Sequence, residues 1–225
     1  MSTSECVLVI APHPDDEVLG CGGVIARHSR RGDQVHVVIV TRGIPEIFPP
    51  ESIENTRLEL NEAHHILGVA SVIFLDFPAP RLDVTSGQVI ADSIRAVVSE
   101  LHPDTIYLPH HGDIHGDHRA VNMATIIAAR PNGAVCVSRL LAYETLSETE
   151  WGNLSSSDAF RPTVFVDISD YLPDKLKAME CYESQLKHSP HARSLEAIRA
   201  LATYRGHTVN LAAAEAFMLV REIVL

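Results

Sequence analysis

Two short stretches of this 225-residue chain, about 100 residues apart, concentrate side chains that bind metal ions and move protons. The first is Pro12-His13-Pro14-Asp15-Asp16-Glu17. The second is His110-His111-Gly112-Asp113-Ile114-His115-Gly116-Asp117-His118, which holds four of the chain's 13 histidines. Neutral imidazole and carboxylate are the natural ligands of Zn²⁺ and similar ions, and a hydrolytic site keeps three protein ligands and one open position. His13, a carboxylate from Asp15 or Asp16, and His115 or His118 would supply that set. A remaining carboxylate would be the general base toward a metal-activated water, and a remaining imidazole would polarise a carbonyl and protonate a leaving group. Spacing leaves open which aspartate is ligand and which is base. Each stretch alone has an ordinary explanation. Paired aspartates at a helix start cap free N–H groups and complement the helix dipole, and two histidines three apart at another helix start are usually just solvated. Because both stretches end predicted strands, a shared metal site accounts for them better.

The elements that must position these loops follow from hydrophobic periodicity. Short apolar, β-branched runs predict strands at Cys6 to Ala11, Gln34 to Thr41, Ser71 to Asp76, Thr105 to Leu108 and Arg139 to Glu144. Helices are expected over Val18 to Arg31 (closed by Gly32), Glu51 to Leu67 (stopped by Gly68), Gln88 to Leu101 and His118 to Ala129. Strands alternating with helices of this length imply an α/β, Rossmann-like, mostly parallel sheet with helices on both faces. In such sheets ligands sit at the carboxyl ends of the strands where strand order reverses. If the first strand neighbours the fourth, the two chemistry-bearing loops face each other. Beyond an irregular stretch (Thr149 to Arg161, with Ser155-Ser156-Ser157) come a strand at Thr163 to Ile168 and helices at Asp170 to Lys187 and Leu195 to Thr203. Glu215 to Leu225 reads equally as strand or helix. No repeat, low-complexity tract or long linker divides the chain. The expectation is a single domain over 1–225, with a Rossmann-like core at 1–147 and a C-terminal α/β elaboration at 148–225.

Composition narrows the function class. Hydrophobic residues make up 46% and charged residues 21%, enough apolar mass for a sizeable core. A net charge of −11 argues against nucleic acid as the main partner. No apolar run approaches the ~20 residues of a membrane span, and the opening Met1 to Glu5 lacks the features of a secretory signal. A cytoplasmic protein is expected. Cys6, Cys21, Cys136 and Cys181 are scattered, with no C-x-x-C pair, and read as small hydrophobes.

At this point the residues resemble a known family. Ala11-Pro-His-Pro-Asp-Asp-Glu17 followed by Gly20-Cys-Gly-Gly23 is similar to the A-H-P-D-D-E signature of the PIG-L/LmbE-like zinc-dependent deacetylases, which remove acetyl groups from N-acetylglucosamine moieties. His115-Gly-Asp-His118, with Arg119 and Val121, resembles the family's H-P-D-H motif. Asn55-Thr-Arg57 with Glu62-Ala63, Lys175 to Gln185, Arg205-Gly206 and Ala214-Glu-Ala-Phe217 extend the likeness over nearly the whole chain. The resemblance implies Zn²⁺, or another divalent transition ion, held by His13, Asp16 and His118. It implies Asp15 as general base, His115 stabilising the oxyanion and helping protonate the amine, and Asp117 orienting a ligand imidazole. Arg57 matches a position that contacts substrate; by itself it reads as a surface helix arginine. His207 lies in a pattern that borders the pocket in some relatives. Gly116 replaces the family's usual proline, which loosens the backbone there without moving a functional group. The Ile44 to Ser52 loop, of the kind that sets substrate choice, is less family-like. The implied partner is a small N-acetylated amino sugar, and the family's habit of forming trimers or hexamers implies a homo-oligomer.

Three other readings compete. A dinucleotide-binding loop fares poorly, because Ile25 occupies the third glycine slot of G-x-G-x-x-G and the loop carboxylates would repel a pyrophosphate. A metal-dependent amidase or phosphoesterase acting on another small substrate would also use His/Asp clusters, but two-metal sites need more bridging carboxylates. A non-catalytic metal- or sugar-binding module would have no need of both Asp15 and His115.

Overall fold

The computed structural model describes residues 4–132, 136–153 and 157–224. Parts of the stretches discussed above, Met1 to Thr3, Leu154 to Ser156 and Leu225, lie outside the described residues. The apolar runs become the strands β1 (Cys6–Ala11), β2 (Gln34–Gly43), β3 (Ser71–Ala79), β4 (Thr105–Pro109) and β5 (Arg139–Tyr143). Between them run α1 (Asp16–Arg30), α2 (Pro50–Leu67), α3 (Gly87–Leu101) and α4 (Gly116–Ala128). The later part adds β6 (Val164–Asp167), α5 (Leu172–Cys181), α6 (Leu195–His207) and β7 (Ala214–Glu222). All strands join one seven-stranded sheet in the order β3-β2-β1-β4-β5-β7-β6. Only β7 runs antiparallel to its neighbours, so the sheet is mostly parallel, as expected.

Period-2 alternation divides the core between the two faces of the sheet. Val7, Val9, Val37 and Ile39 point to the side covered by α1, α2 and α5. Leu8, Ile10, Val38 and Val40 point to the side shared with Ile94 of α3 and Val121 of α4. Strands buried on both faces must be apolar at successive positions, which is why these segments read as continuous hydrophobic runs.

The glycines after the first loop serve packing. They lie inside α1, where a Cβ at Gly20 would come within 2.3 Å of the Tyr143 ring and one at Gly23 within 2.7 Å of Ile168. Helix α1 thereby presses directly on β5 and on the segment after β6. The same contact carries a buried ion pair: Lys175 donates to Glu215 (2.6 Å) and to the Leu19 carbonyl (2.7 Å). Glu215 also accepts the Gly23 and Val24 N–H groups. Removing one member of such a pair costs about 3–5 kcal/mol because the other is left buried and charged.

Two features of the C-terminal part depart from, or complete, the expectation. The undecided segment at Glu215 is a strand, since its backbone pairs with both β5 and β6. The helix expected over Asp170 to Lys187 ends at Cys181, six residues early. Tyr182 turns inward to donate to Glu17 (2.5 Å), and Ser184 gives its N–H and hydroxyl to Glu59 of α2 (3.0 and 2.6 Å). These tertiary bonds outweigh the helical propensity of the tail of the segment. Among the described residues no helix is long and apolar enough to cross a membrane.

Candidate metal centre and active site

Strand order brings the two loops together. β1 pairs with β2 on one side and with β4 on the other, through Val7 with Thr105 and Val9 with Tyr107. The order therefore reverses between β1 and β4, and the loops that leave their carboxyl ends share the resulting crevice.

The first loop turns sharply. Asp15 has a φ of 107° and sits at the N-cap of α1, yet its side chain makes no capping bond. Its carboxylate is therefore not consumed by the helix end. Its N–H instead donates to Glu17 (3.1 Å), whose other oxygen takes the Tyr182 hydroxyl and faces His64 Nε2 at 3.2 Å.

Ligand atoms of His13, Asp16 and His118 lie within 4.8 Å of one another. Asp16 Oδ2 is 3.2 Å from His13 Nδ1 and 3.2 Å from His118 Nε2. On its far side each imidazole meets a second carboxylate: His13 Nε2 is 3.0 Å from Asp117, and His118 Nδ1 is 2.8 Å from Asp113. Asp117 is steadied by the Leu82 N–H and Asp113 by the Thr149 hydroxyl. A carboxylate behind a ligating histidine sets its tautomer and aims the other nitrogen's lone pair. At the point of convergence, Asp16 Oδ1 and His118 Nε2 are buried without hydrogen-bond partners. Unsatisfied buried polar atoms cost stability. His118 Nε2 and Asp16 Oδ1, with His13 Nδ1 against the same carboxylate, form a donor set that suits a divalent ion.

His115 caps α4, its Nδ1 accepting the Asp117 N–H at 3.1 Å. In a neutral ring that places the proton on Nε2, ready to donate. Burial, together with the neighbouring His13 and His118, pulls the His115 pKa down to about 4, so the ring is neutral at pH 7. His13 is raised to about 9: burial opposes its charge, but hydrogen bonds to Asp117 and Asp16 outweigh burial. Burial likewise opposes charge on His118, and Asp16 and Asp113 raise it to about 10. Burial lifts Asp15 to about 8 against the pull of Arg193, while Asp16 and Glu17 reinforce the rise. Asp16 lies well below the carboxylate range because His118 and His13 overcome its burial.

A cleft of about 500 Å³ opens above this group, lined by His13, Asp15, His115, Arg57, Glu148 and Arg193 among others. Arg57 thus reaches the cleft wall, although its guanidinium is paired with Asp76 and lies 4.4 Å from the centre of the Phe74 ring. Phe48 and Ser52, from the segment at 44–52, form part of the same wall. His207 does not: it ends α6 beside a separate open hollow of about 650 Å³. That slot in the chain follows the close approach of Gly206 to Ala213, which turns the helix end toward β7.

Sequence reasoning overlooked Asp113, Glu17, Glu148 and Arg193 as individual members of the site. Asp113 had a signal, because Gly112-Asp113 repeats the Gly116-Asp117 pattern and each aspartate sits beside an imidazole. Arg193 had none; it is one arginine in a loop, 178 residues from Asp15.

Comparison with known proteins identifies relatives of the whole chain. Residues 8–129 match the PIG-L family, described as GlcNAc-PI de-N-acetylase. YaiS of Escherichia coli K12, named as an uncharacterized deacetylase, is 31% identical over 79% of this chain and 90% of its own length. The diacetylchitobiose deacetylase of Thermococcus kodakarensis is 28% identical over 97% of this chain and 84% of its own. Among solved structures, the conserved protein TT1542 of Thermus thermophilus superimposes with a TM-score of 0.77 at 29% identity, covering 97% of this chain and 96% of that one.

Proposed function

Because the chain belongs to the PIG-L family of de-N-acetylases, we propose that it hydrolyses the acetamide of an N-acetylglucosamine-type sugar with the help of a divalent cation, zinc being the expected one. His13, Asp16 and His118 would hold the ion. The observation that carries this reading is the convergence of their ligand atoms, with Asp16 Oδ1 and His118 Nε2 buried and without hydrogen bonds, beneath a cleft of sugar-binding size. When bound, such a cation supplies Lewis acidity, lowering the pKa of water to about 7 and favouring the ionised form of nearby carboxylates.

The chain's own residues would do the rest. Asp15 takes a proton from the attacking water. His115, neutral and protonated on Nε2, donates a hydrogen bond to the carbonyl oxygen as negative charge builds there, and one such donor is worth about 3–4 kcal/mol. As the C–N bond breaks, the proton on Asp15 passes to the amine nitrogen. Acetate and a free amine leave. His115 accepts the Asp117 N–H on Nδ1, so its one ring proton, on Nε2, is the one given to the carbonyl oxygen, and this last transfer falls to Asp15. Asp117 would keep His13 oriented, and Arg57 would line the substrate path with its charge already balanced by Asp76. In this reading the 1–147 segment carries the chemistry, and 148–225 completes the same single domain around the cleft.

The decisive measurement is amine release from a panel: N-acetylglucosamine, its dimer diacetylchitobiose, and glycosides of N-acetylglucosamine with malate and with inositol. It is run with and without chelator, beside metal analysis. Chelator-sensitive release from at least one sugar is expected. Full activity in metal-stripped protein, or turnover of a phosphate ester with every acetamido sugar untouched, would end the proposal.

A further inference from the structure

We infer that Arg193 is a positioning residue for Asp15, holding the carboxylate of the proposed general base from the C-terminal part of the chain. This rests on the role given to Asp15 above. The Arg193 guanidinium uses all three of its nitrogens: Nη1 donates to Asp15 Oδ2 (2.9 Å), Nη2 to Glu148 Oε1 (3.2 Å) and Nε to the Ser147 hydroxyl (2.7 Å). A planar fork engaged at three points has one orientation, unlike a lysine ammonium, which is a rotatable point charge.

The backbone beneath the fork is fixed as well. The Arg193 N–H donates to His191 Nδ1, its carbonyl accepts the Lys187 N–H, and the next residue, Ser194, caps α6 by accepting the Ala197 N–H. Asp15 needs such a brace. It occupies a left-handed backbone conformation and makes no capping bond. Among the described residues Arg193 is the one side chain hydrogen-bonded to its carboxylate. Gripping Oδ2 restrains the carboxylate and leaves Oδ1 as the oxygen that takes a proton. The side chain of Arg193 is 18% exposed and forms part of the cleft wall, so the brace acts at the edge of the substrate space.

The test compares Arg193→Ala and Arg193→Lys with the wild type on the panel sugar the wild type turns over fastest. Turnover, KM, metal content and the response to added guanidinium ion are measured. Misplacing a catalytic group by about 1 Å costs on the order of 10²-fold, so kcat of Arg193→Ala should fall by about that factor. KM should stay within about threefold of the wild type and metal content should not change, because neither substrate nor ion has lost a ligand. Guanidinium ion should restore roughly tenfold of the lost rate in Arg193→Ala and none in Asp15→Asn. Arg193→Lys should recover only part of the rate, and it remains informative if the alanine variant does not fold. Wild-type kcat in either variant overturns the inference. So does a loss confined to KM, which would mark a substrate anchor, or a loss of metal or of rescue in a folded Arg193→Ala protein. A wild type inactive on the whole panel overturns the functional reading and this inference together, whereas an active wild type with indifferent variants overturns this inference alone.

Discussion

Two groups of imidazole and carboxylate sit at opposite ends of the parallel sheet. His13, Asp16 and His118 gather where β1 and β4 end; Glu5, His28 and Asp33 gather where β1 begins and α1 ends, with ligand atoms equally close together. Residue types alone would rank them alike. Their surroundings differ. In the second group His28 Nδ1 is bonded to Asp33 at 2.7 Å and Nε2 lies 3.3 Å from the Tyr107 hydroxyl, and none of its three side chains holds a buried polar atom without a hydrogen bond. Glu5 is exposed, and Asp33 also accepts the Glu5 N–H. A histidine in the last turn of a helix, against an aspartate, complements the helix dipole and the start of the next strand. In the first group Asp16 and His118 are buried and His13 half-buried, each imidazole is backed by a carboxylate, and two polar atoms at its centre make no hydrogen bond. What singles out the first group as the candidate metal site is the pair of buried polar atoms left without hydrogen bonds after the protein's own bonds are made.

That contrast can be broken most directly by removing one imidazole from each group. His118→Ala should reduce bound metal from about one ion per chain to none, with amine release at background, since three protein ligands are the minimum for such a site. His28→Ala should leave both metal content and turnover at wild-type levels. Metal loss from His28→Ala, read by elemental analysis, would erase the distinction.

The next effect lies within the first group. Asp15→Asn should cut kcat by about 10²–10⁴-fold while the protein keeps its metal, because a proton acceptor is lost and no ligand is. A fully active Asp15→Asn protein would mean another group is the base.

A smaller effect probes the support behind the ligands. Asp113→Asn should weaken metal affinity by about 10–100-fold in a competition titration with a chelating dye. An unchanged affinity would show that the Asp113–His118 bond only packs the loop.

The smallest concerns the second group and acid stability. Burial would raise the Asp33 pKa, but the hydrogen bond from His28 and that from the Glu5 N–H hold it below its ordinary value. A depressed carboxylate pKa stabilises the fold above the unfolded value of about 3.9, and that contribution is lost as pH falls through the lower folded value. Asp33→Asn should therefore cost under about 1 kcal/mol at neutral pH and show a shallower loss of stability below pH about 4 in denaturant titrations. Equal pH profiles for variant and wild type would remove the ion-pair account of this cluster.

Much of the molecule was legible from residue patterns. The five parallel strands follow from apolar, β-branched runs, and the strand–helix alternation led to the correct sheet type. The crevice followed once β1 was taken to neighbour β4, which the pairing of Leu8 with Ile106 realises. The two loops drew notice because histidine and aspartate are dense there. The early end of α5 was not legible, since it depends on Glu59 of another helix accepting from Ser184. Asp113 carried only the faint signal of the repeated Gly-Asp pattern in its loop. Arg193 stood in no pattern at all, although its fork touches Asp15, Glu148 and Ser147.

The order of residues by itself determined the elements of the parallel core, the burial of its strands and the chemical identity of both loops, because periodicity and local backbone preference act over a few residues. Only the tertiary structure decided which carboxylate backs which imidazole, that Asp15 leaves its helix uncapped, and that an arginine 178 positions away grips it. Those outcomes depend on hydrogen bonds between segments distant in the chain, whose partners are chosen by packing and by the cost of leaving a buried polar atom unpaired.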